Sequence, residues 1–417
     1  MAMATKEANK LTPGELVKIR GDFPVLATTV YGKPLAYLDN GATTQKPQCV
    51  IDCVSKFLSV EYGTVRRGVY YLSEQSTRLF DESRVKLAKF INAASEKEIV
   101  FTKGTTESIN LVAASYGRAF LNEGDEVVVS AIEHHANIVP WQQICAQMKA
   151  VLRVIPVNDA GELVIEEYEK LLSAKTKIVA VNHVSNALGT VNPVKKMAEM
   201  AHRVGAVILV DGAQSVPHMS VDVQDLDCDF YCGSSHKMYG LTGVGFLYGK
   251  YALLDKMPPY QTGGDMIVSV TFEKTTFAKP PNKFEAGTPP ITGVVALGVA
   301  LDYLSGIGMD RIEAYEQELL TLATKKLSSI PQVRIIGTAK EKAAIISFVI
   351  AGVHPHDIGT VLDREGVAIR AGHHCAQPVM ERFGVPATAR ASFSFYNNEA
   401  DIDALVRGVE TVIKLFA

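Results

Sequence analysis

Residues 206–215 read AVILVDGAQS, and this stretch decides the fold. Its first half, Ala206–Val210, is an apolar and β-branched run with the length of a buried strand. The run ends at a carboxylate, Asp211, and Gln214 follows three residues later. Because parallel sheets bind ligands beyond the carboxyl ends of their strands, the residues after each such run are the ones to inspect.

Apolar runs of strand length alternate with helical patterns on both sides of this stretch. The other runs are Glu98–Phe101, Glu126–Ser130, Lys177–Val184, Phe230–Cys232 and Val244–Tyr248. This alternation predicts an α/β domain with a mostly parallel sheet and helices on both faces. Beyond Pro331, four more strand candidates and two helical segments predict a smaller α+β domain; the strands are Arg334–Ile336, Ile345–Ile350, Ala368–Arg370 and Ala391–Phe395.

Composition excludes several classes of function. With 417 residues, 47% hydrophobic content and a net charge of -3, the chain can bury a large core in two to three domains. It has no basic blocks for neutralising nucleic-acid phosphates. Its longest apolar run, Ile291–Leu304, is shorter than the ~20 residues of a membrane span and predicts a buried helix. The first ten residues are predicted to be a flexible tail.

The six cysteines are too sparse for a disulfide framework, and they favour a reducing, cytoplasmic setting. Two pairs, Cys49 with Cys53 and Cys228 with Cys232, have a C-x3-C spacing. Neither pair has a nearby His or further Cys that would complete a zinc site, so no metal is expected.

Polar residues with complementary chemistry follow three of the predicted strands. Thr105 and Thr106 begin a helix after Phe101, where backbone N–H groups and hydroxyls can bind a phosphate, although Thr is also a common helix cap. Asp211 can pair with a protonated ring nitrogen, while Gln214 can donate to an oxygen on the same ring; the alternative is that Asp211 only caps a helix. Taken together with the lysine described next, these positions indicate a pyridoxal phosphate site.

Lys237 lies in the run Ser234–Ser235–His236–Lys237 after an apolar strand. A lysine there can form a Schiff base, while the hydroxyl of Ser234 and the imidazole of His236 hold a phosphate. A surface lysine is the alternative at this single position. The order of phosphate-binding residues, Asp and Lys on successive strands favours the cofactor site.

Cys375 lies between two histidines and a proline in the run Arg370–Pro378. A thiol placed on a loop after a strand can be exposed and reactive. A buried and inert cysteine is the alternative for this residue taken alone.

Motifs along nearly the whole chain resemble one family. They are Asp22–Pro24, Tyr37–Ala42, Gly104–Glu107, Glu133–Asn137, His183–Asn186, Asp211–Gln214, Ser234–Lys237, Phe284–Pro289, the Cys375 segment and Arg390–Ser392. This set resembles the SufS-like (group II) cysteine desulfurases of the NifS/SufS family, among the class-V aminotransferases. The resemblance implies an aspartate-aminotransferase-like fold (fold type I) with a seven-stranded sheet in the large domain.

The resemblance also implies roles for individual residues. Lys237, Cys375 and His134 would be catalytic, with His134 stacked on the pyridine ring. Asn186, Arg370 and Arg390 would bind the substrate. The residues implied to bind the cofactor are Thr105, Thr106, His134, Asp211, Gln214, Ser234, His236 and Lys237, with Thr288 from a second subunit of a homodimer.

By the same resemblance, the enzyme would convert L-cysteine to L-alanine and leave a persulfide on Cys375. An acceptor protein of the SufE or SufU type would take this sulfur for iron–sulfur cluster assembly. The alternatives are a selenocysteine lyase and a non-enzymatic sulfur or metal scaffold. The compartment would be the cytoplasm, or an organelle if a transit peptide has been removed.

Three segments are expected in the chain. Residues 1–28 would join the small domain, residues 29–304 would form the cofactor-binding domain, and residues 305–417 would form the small domain with the cysteine loop. Four positions depart from the family pattern: Arg66 stands where a His is common, Leu241 where a Pro is common, Ser235 where a Gly is common, and Pro290 where an Asn is common.

Overall fold

The computed structural model describes residues 10–416, so the tail predicted for the first ten residues lies outside the described residues except for Lys10. Its centre is a sheet of seven strands, here β1 to β7 in chain order: Ile99–Thr102, Glu126–Ser130, Val151–Ile155, Thr176–Asn182, Val207–Asp211, Phe230–Ser234 and Gly245–Gly249. The order across the sheet is β1-β7-β6-β5-β4-β2-β3. Only β7 runs antiparallel to its neighbours. The predicted α/β class with a seven-stranded, mostly parallel sheet is confirmed.

Burial explains why these residues form the sheet. Every residue of β1, β2, β6 and β7 is buried, as expected where helices cover both faces. The sequence did not predict β3. This strand is at the edge of the sheet, pairs only with β2, and exposes three of its five residues, so it lacks the continuous apolar run of its neighbours.

Helices cover the sheet and connect it to the rest of the chain. Those of six or more residues are numbered α1 to α13: Pro13–Gly21, Gln48–Lys56, Tyr71–Phe90, Thr105–Val112, Val139–Met148, Ile165–Leu171, Val194–Arg203, Tyr251–Lys256, Ile291–Ile307, Met309–Ser328, Pro355–Arg364, Gln377–Arg382 and Glu399–Phe416. Helix α9 buries ten residues, which confirms the buried helix predicted there. Within residues 10–416 no single helix has the length and apolar character to cross a membrane. Helices α9 and α10 are long and apolar enough only when counted together, and the chain bends by 75° between them.

A second, antiparallel sheet lies in the C-terminal part. Its strands β8 to β11 are Val333–Ile336, Ile345–Ile350, Arg370–Gly372 and Thr388–Ser392, in the order β8-β9-β11-β10. The strand predicted over 368–370 is divided, because Val367–Ala368 pairs in parallel with Ala36–Tyr37 and only Arg370–Gly372 joins β11.

The N-terminal residues pack against both parts of the molecule. Ala36 and Leu38 belong to the core of the second sheet, although the sequence placed residues 29–304 in the large domain. Phe23 packs in one cluster with Leu304 of α9 and with Phe395 after β11. The N-terminal segment thus connects the two sheets; the division at residues 28 and 304 stays a prediction.

Candidate active site

A cavity of about 240 Å³ lies between the two sheets. Its lining comes from residues that follow β1, β2, β4, β5 and β6 and from the second sheet. Twelve of the thirteen residues predicted for the site line it: Thr105, Thr106, His134, Asn186, Asp211, Gln214, Ser234, His236, Lys237, Arg370, Cys375 and Arg390. The exception is Thr288, which is exposed and lines a separate depression beside Glu107 and Tyr260. Its role toward a second subunit stays a prediction.

The start of α4 forms one end of the cavity. The backbone N–H of Thr105 donates to Ser234 Oγ at 2.9 Å, which joins the ends of β1 and β6. Gly245 lies so close that a Cβ on it would be 2.4 Å from the Cα of Gly104, so only glycine fits there. The N–H groups and positive dipole end of α4, with the hydroxyls of Thr106 and Ser234, suit an anion such as a phosphate.

The turn that carries His236 and Lys237 is held by residues that the sequence did not single out. The carbonyl oxygen of His236 accepts hydrogen bonds from Lys46 Nζ at 2.9 Å and from the backbone N–H of Thr44 at 3.1 Å. Burial lowers the pKa of His236 to about 4, and the charges of Lys237 and Lys46 add to this shift. The imidazole is therefore neutral at physiological pH.

Lys237 and Asp211 are two ionisable side chains that line the cavity. Burial lowers the pKa of Lys237 to about 8; Arg390 adds to the shift and Asp211 opposes it. Burial raises the pKa of Asp211, while the N–H of Ala213, at 2.9 Å from its carboxylate, opposes this. The lysine can therefore exchange a proton near neutral pH, and a cation beside Asp211 would keep that carboxylate ionised.

His134 lines the cavity directly after β2. Burial lowers its pKa to about 4, and Lys237 adds to the shift. Its Nδ1 accepts from the backbone N–H of Ala136 at 3.0 Å, so the neutral ring has its hydrogen on Nε2. The preceding Glu133 is fully buried and accepts from Asn137 Nδ2 at 2.7 Å and from the N–H of Asn182 at 2.9 Å. Glu133 thus fixes the loop that presents His134.

Two arginines share one carboxylate at the opposite wall. Arg390 Nη2 lies 3.2 Å from Asp39 Oδ1, and Arg370 Nη2 lies 3.1 Å from Asp39 Oδ2. The Arg390 side chain is 2% exposed and the Arg370 side chain 48%. Arg390 also donates to the carbonyl of Asn186 at 2.8 Å. Asp39 therefore orients both guanidinium groups toward a site that retains a net positive charge.

The cysteine loop, His373–Ala376, connects β10 to α12 and closes the cavity. Cys375 is exposed, and both it and His374 have φ of +54°. This left-handed conformation costs a non-glycine residue about 1–2 kcal/mol, so other contacts must hold the loop. Asn186 Nδ2 donates to the carbonyl of His374 at 2.6 Å, and His374 Nε2 lies 2.8 Å from Thr388 Oγ1. The thiol is thus presented to solvent at the cavity by a fixed loop.

The residues present fit pyridoxal phosphate. The phosphate matches the start of α4, the pyridine nitrogen matches Asp211, and the aldehyde matches Lys237. Gln214 Nε2 donates to the carbonyl of Gly41 at 2.6 Å and keeps a second hydrogen for a ring oxygen. Within residues 10–416, four lining residues each have a buried polar atom without a partner, as expected where a polar ligand binds: Gln214 Oε1, Asn186 Oδ1, His374 Nδ1 and Arg390 Nε.

Four residues of this region were not singled out from the sequence: Asp39, Lys46, His135 and Asn182. Asp39 and His135 lie inside quoted motifs and Asn182 directly precedes one, which is the only signal that the sequence gives for them, and Lys46 adjoins no quoted motif. Arg66, a departure from the family pattern, does not line the cavity. It forms an ion pair with the buried Glu285, which Arg84 also binds at 2.7 Å.

The chain is similar to known proteins in sequence and in overall structure. The aminotransferase class-V family matches residues 36–405. The chain is 52% identical over 398 residues to a cysteine desulfurase of Synechococcus elongatus, covering 95% of this chain and 64% of that protein. It is 52% identical over 399 residues to a probable cysteine desulfurase of Halalkalibacterium halodurans, covering 96% of this chain and 98% of that protein.

The chain thus spans less than two thirds of the Synechococcus protein, and it also spans only 65% and 58% of two mycobacterial relatives. Among solved structures, the cysteine desulfurase CsdA of Escherichia coli is similar with a TM-score of 0.90 and 39% identity, covering 96% of this chain and 99% of that one. The chain therefore belongs to the aminotransferase class-V family, in the group whose members named here are cysteine desulfurases.

Proposed function

We propose that the chain is a pyridoxal-phosphate-dependent cysteine desulfurase that transfers sulfur from L-cysteine to the thiol of Cys375. One observation carries this proposal: a lysine with a lowered pKa, two arginines and an exposed thiol line the same cavity. An aminotransferase-like site needs no thiol, so Cys375 separates this reaction from the others that Lys237 and Asp211 would allow.

The positively charged wall would bind the substrate. A carboxylate pairs with guanidinium groups through two parallel N–H donors, and Arg390 has an unpaired Nε in the cavity. Arg370 is half exposed and lies where the substrate would enter. This arrangement orients L-cysteine with its amino group toward Lys237 and its sulfur toward Cys375.

Proton transfer would be the task of Lys237 and His134. When bound, pyridoxal phosphate supplies an electron sink for the negative charge that develops at the substrate Cα. The amine of Lys237, with a pKa of about 8, is present in part as the free base at neutral pH and can take the Cα proton. His134 would act as a relay, because its ring, neutral with the hydrogen on Nε2, can pass a proton to the substrate only after taking one up.

Sulfur transfer balances without an external oxidant. The Cys375 thiolate attacks the substrate sulfur, so an S–S bond forms and the C–S bond breaks. The electron pair of the C–S bond stays with the carbon skeleton, which takes up protons and leaves as L-alanine. The products are L-alanine and a Cys375 persulfide, whose outer sulfur passes to an acceptor thiol. An exposed loop suits this second step, because a SufE-type or SufU-type acceptor must reach the sulfur.

A homodimer would complete the site. Two exposed apolar patches support association; they consist of Leu58, Val60, Tyr62, Val69, Tyr70 and Tyr71 in one segment, and of Val268, Val270 and Phe272 in a hairpin. The exposed Thr288 would then reach the phosphate of the other subunit. The six free cysteines are compatible with a cytoplasmic or other reducing compartment.

A scaffold that binds a metal through His373, His374 and Cys375 is disfavoured. His374 is buried and its Nε2 is engaged by Thr388. Within residues 10–416 no group of three or more His, Cys, Asp or Glu side chains is arranged to hold a metal ion.

The test measures L-alanine formed from L-cysteine by the holoenzyme, with a dithiol reductant or with an acceptor protein of either type. We expect Cys375→Ala to retain the cofactor and lose alanine formation, while the matched control Cys49→Ala, at another exposed cysteine, behaves as wild type. Alanine formation by Cys375→Ala at the wild-type rate would refute the proposal. L-selenocysteine in parallel distinguishes a lyase, which would process it without Cys375.

A further inference from the structure

His135 contacts the cysteine loop twice, although neither the cofactor nor the substrate needs it in the reaction above. Its backbone N–H donates to the carbonyl of Cys375 at 2.7 Å. Its ring Nε2 accepts from the backbone N–H of Gln377 at 3.1 Å. His135, which follows β2 of the large sheet, therefore binds the chain both at Cys375 and two residues after it, at Gln377.

In the described part of the chain, the other hydrogen bonds to the loop from outside the loop and α12 are those of His374 with Asn186 and Thr388, one residue before the thiol. Only His373–Ala376 separates β10 from α12, and one internal bond, from the N–H of Ala376 to the carbonyl of His373 at 2.9 Å, closes the turn. Cys375 and His374 are in the left-handed region, which non-glycine residues rarely adopt. A strained conformation persists only where surrounding contacts determine it. The contacts from His135 are therefore part of what holds Cys375 in place.

Gln377 is the first residue of α12, and its N–H lacks an acceptor within the helix. The imidazole of His135 supplies that acceptor from outside, which requires that Nε2 has no hydrogen. Since the backbone bond to Cys375 would remain whatever side chain stood at 135, the ring has a separate role that substitution can test.

We propose that His135 is a positioning residue for Cys375: its ring fixes the start of α12 and so sets the direction in which the thiol meets the substrate. This inference rests on the proposed function for its chemical meaning. The hydrogen bond on which it depends can be tested independently of any activity.

The experiment compares His135→Gln with His135→Asn in the holoenzyme. The amide oxygen of Gln can occupy the position of Nε2, whereas the shorter Asn cannot reach Gln377. Hydrogen exchange of the peptide that contains Gln377, measured by mass spectrometry, should be roughly five-fold faster at that amide in His135→Asn and unchanged in His135→Gln. His135→Leu, which introduces an apolar residue of similar size, should behave like His135→Asn. The Leu variant takes the place of the Asn variant if His135→Asn does not fold.

Kinetics give the second measurement. We expect kcat for alanine formation to fall about five-fold in His135→Asn with KM for L-cysteine and cofactor content unchanged, and to recover in His135→Gln. Unchanged exchange in His135→Asn, or equal acceleration in both variants, would overturn the positioning role. An inactive wild type with the predicted exchange pattern would instead refute the desulfurase proposal while leaving the hydrogen bond established.

Discussion

Two arginines, Arg390 and Arg370, line the cavity, and replacing one or the other by lysine should change the reaction of L-cysteine to very different extents. Arg390 is 2% exposed and Arg370 is 48% exposed, although both bind Asp39. A hydrogen bond to a charged group contributes about 1.5–3 kcal/mol when it is buried, whereas an exposed ion pair contributes about 0.2–1 kcal/mol. Lysine keeps the charge but loses one of the two parallel N–H donors.

Arg390→Lys should therefore lower kcat/KM for L-cysteine by about 10-fold to 150-fold, and Arg370→Lys by less than about five-fold. The assay follows alanine formation against L-cysteine concentration in each holoenzyme. Thermal unfolding and cofactor content serve as controls, because Arg390 also binds the carbonyl of Asn186. Equal losses in the two variants, or a larger loss in Arg370→Lys, would refute the assignment of the buried guanidinium to the substrate carboxylate.

Three further predictions concern the cofactor and the buried charges. Lys237→Ala should fold but lose pyridoxal phosphate on desalting, because no covalent link remains; cofactor retained at wild-type stoichiometry would assign the link to another lysine. Ser234→Ala should weaken cofactor binding about 10-fold in equilibrium dialysis, through loss of one hydrogen bond to a charged phosphate, and an unchanged affinity would remove Ser234 from the phosphate site. Burial alone would raise the pKa of Glu285, but Arg84 and Arg66 outweigh it and lower that pKa. Its stabilisation is therefore present above the unfolded pKa of about 4.3 and is lost as the pH falls through the lower folded value. Glu285→Gln should reduce the free energy of unfolding by about 3–5 kcal/mol at pH 7. The difference from wild type should shrink on acidification in urea titrations, and a constant difference would contradict this linkage.

The sequence predicted the parts of the fold that local pattern determines. Buried parallel strands are continuous apolar runs, so Glu126–Ser130 was predicted with the bounds that the structure has. The edge strand Val151–Ile155 was missed because partial exposure and Arg153 interrupt its apolar pattern. The run before Cys375 was predicted as one strand because local propensity cannot show that its two halves pair with different partners.

The sequence placed Asp211 and Lys237 in the candidate site because each follows a strand end, and both line the cavity. Contacts between distant segments were not predictable. Asp39 acts on Arg390 across 351 positions of the chain, and His135 acts on Gln377 across 242. Neither pair has a local pattern that marks it, since the fold alone brings the partners together.

The most direct measurement of the central claim is the mass of the peptide that contains Cys375 after the holoenzyme has reacted with L-cysteine in the absence of an acceptor. Alkylation under non-reducing conditions preserves a persulfide for detection. The account predicts one added sulfur atom on Cys375, one L-alanine released for each persulfide, and no sulfur on the exposed Cys49. A persulfide on another cysteine, or alanine release with Cys375 unmodified, would contradict it.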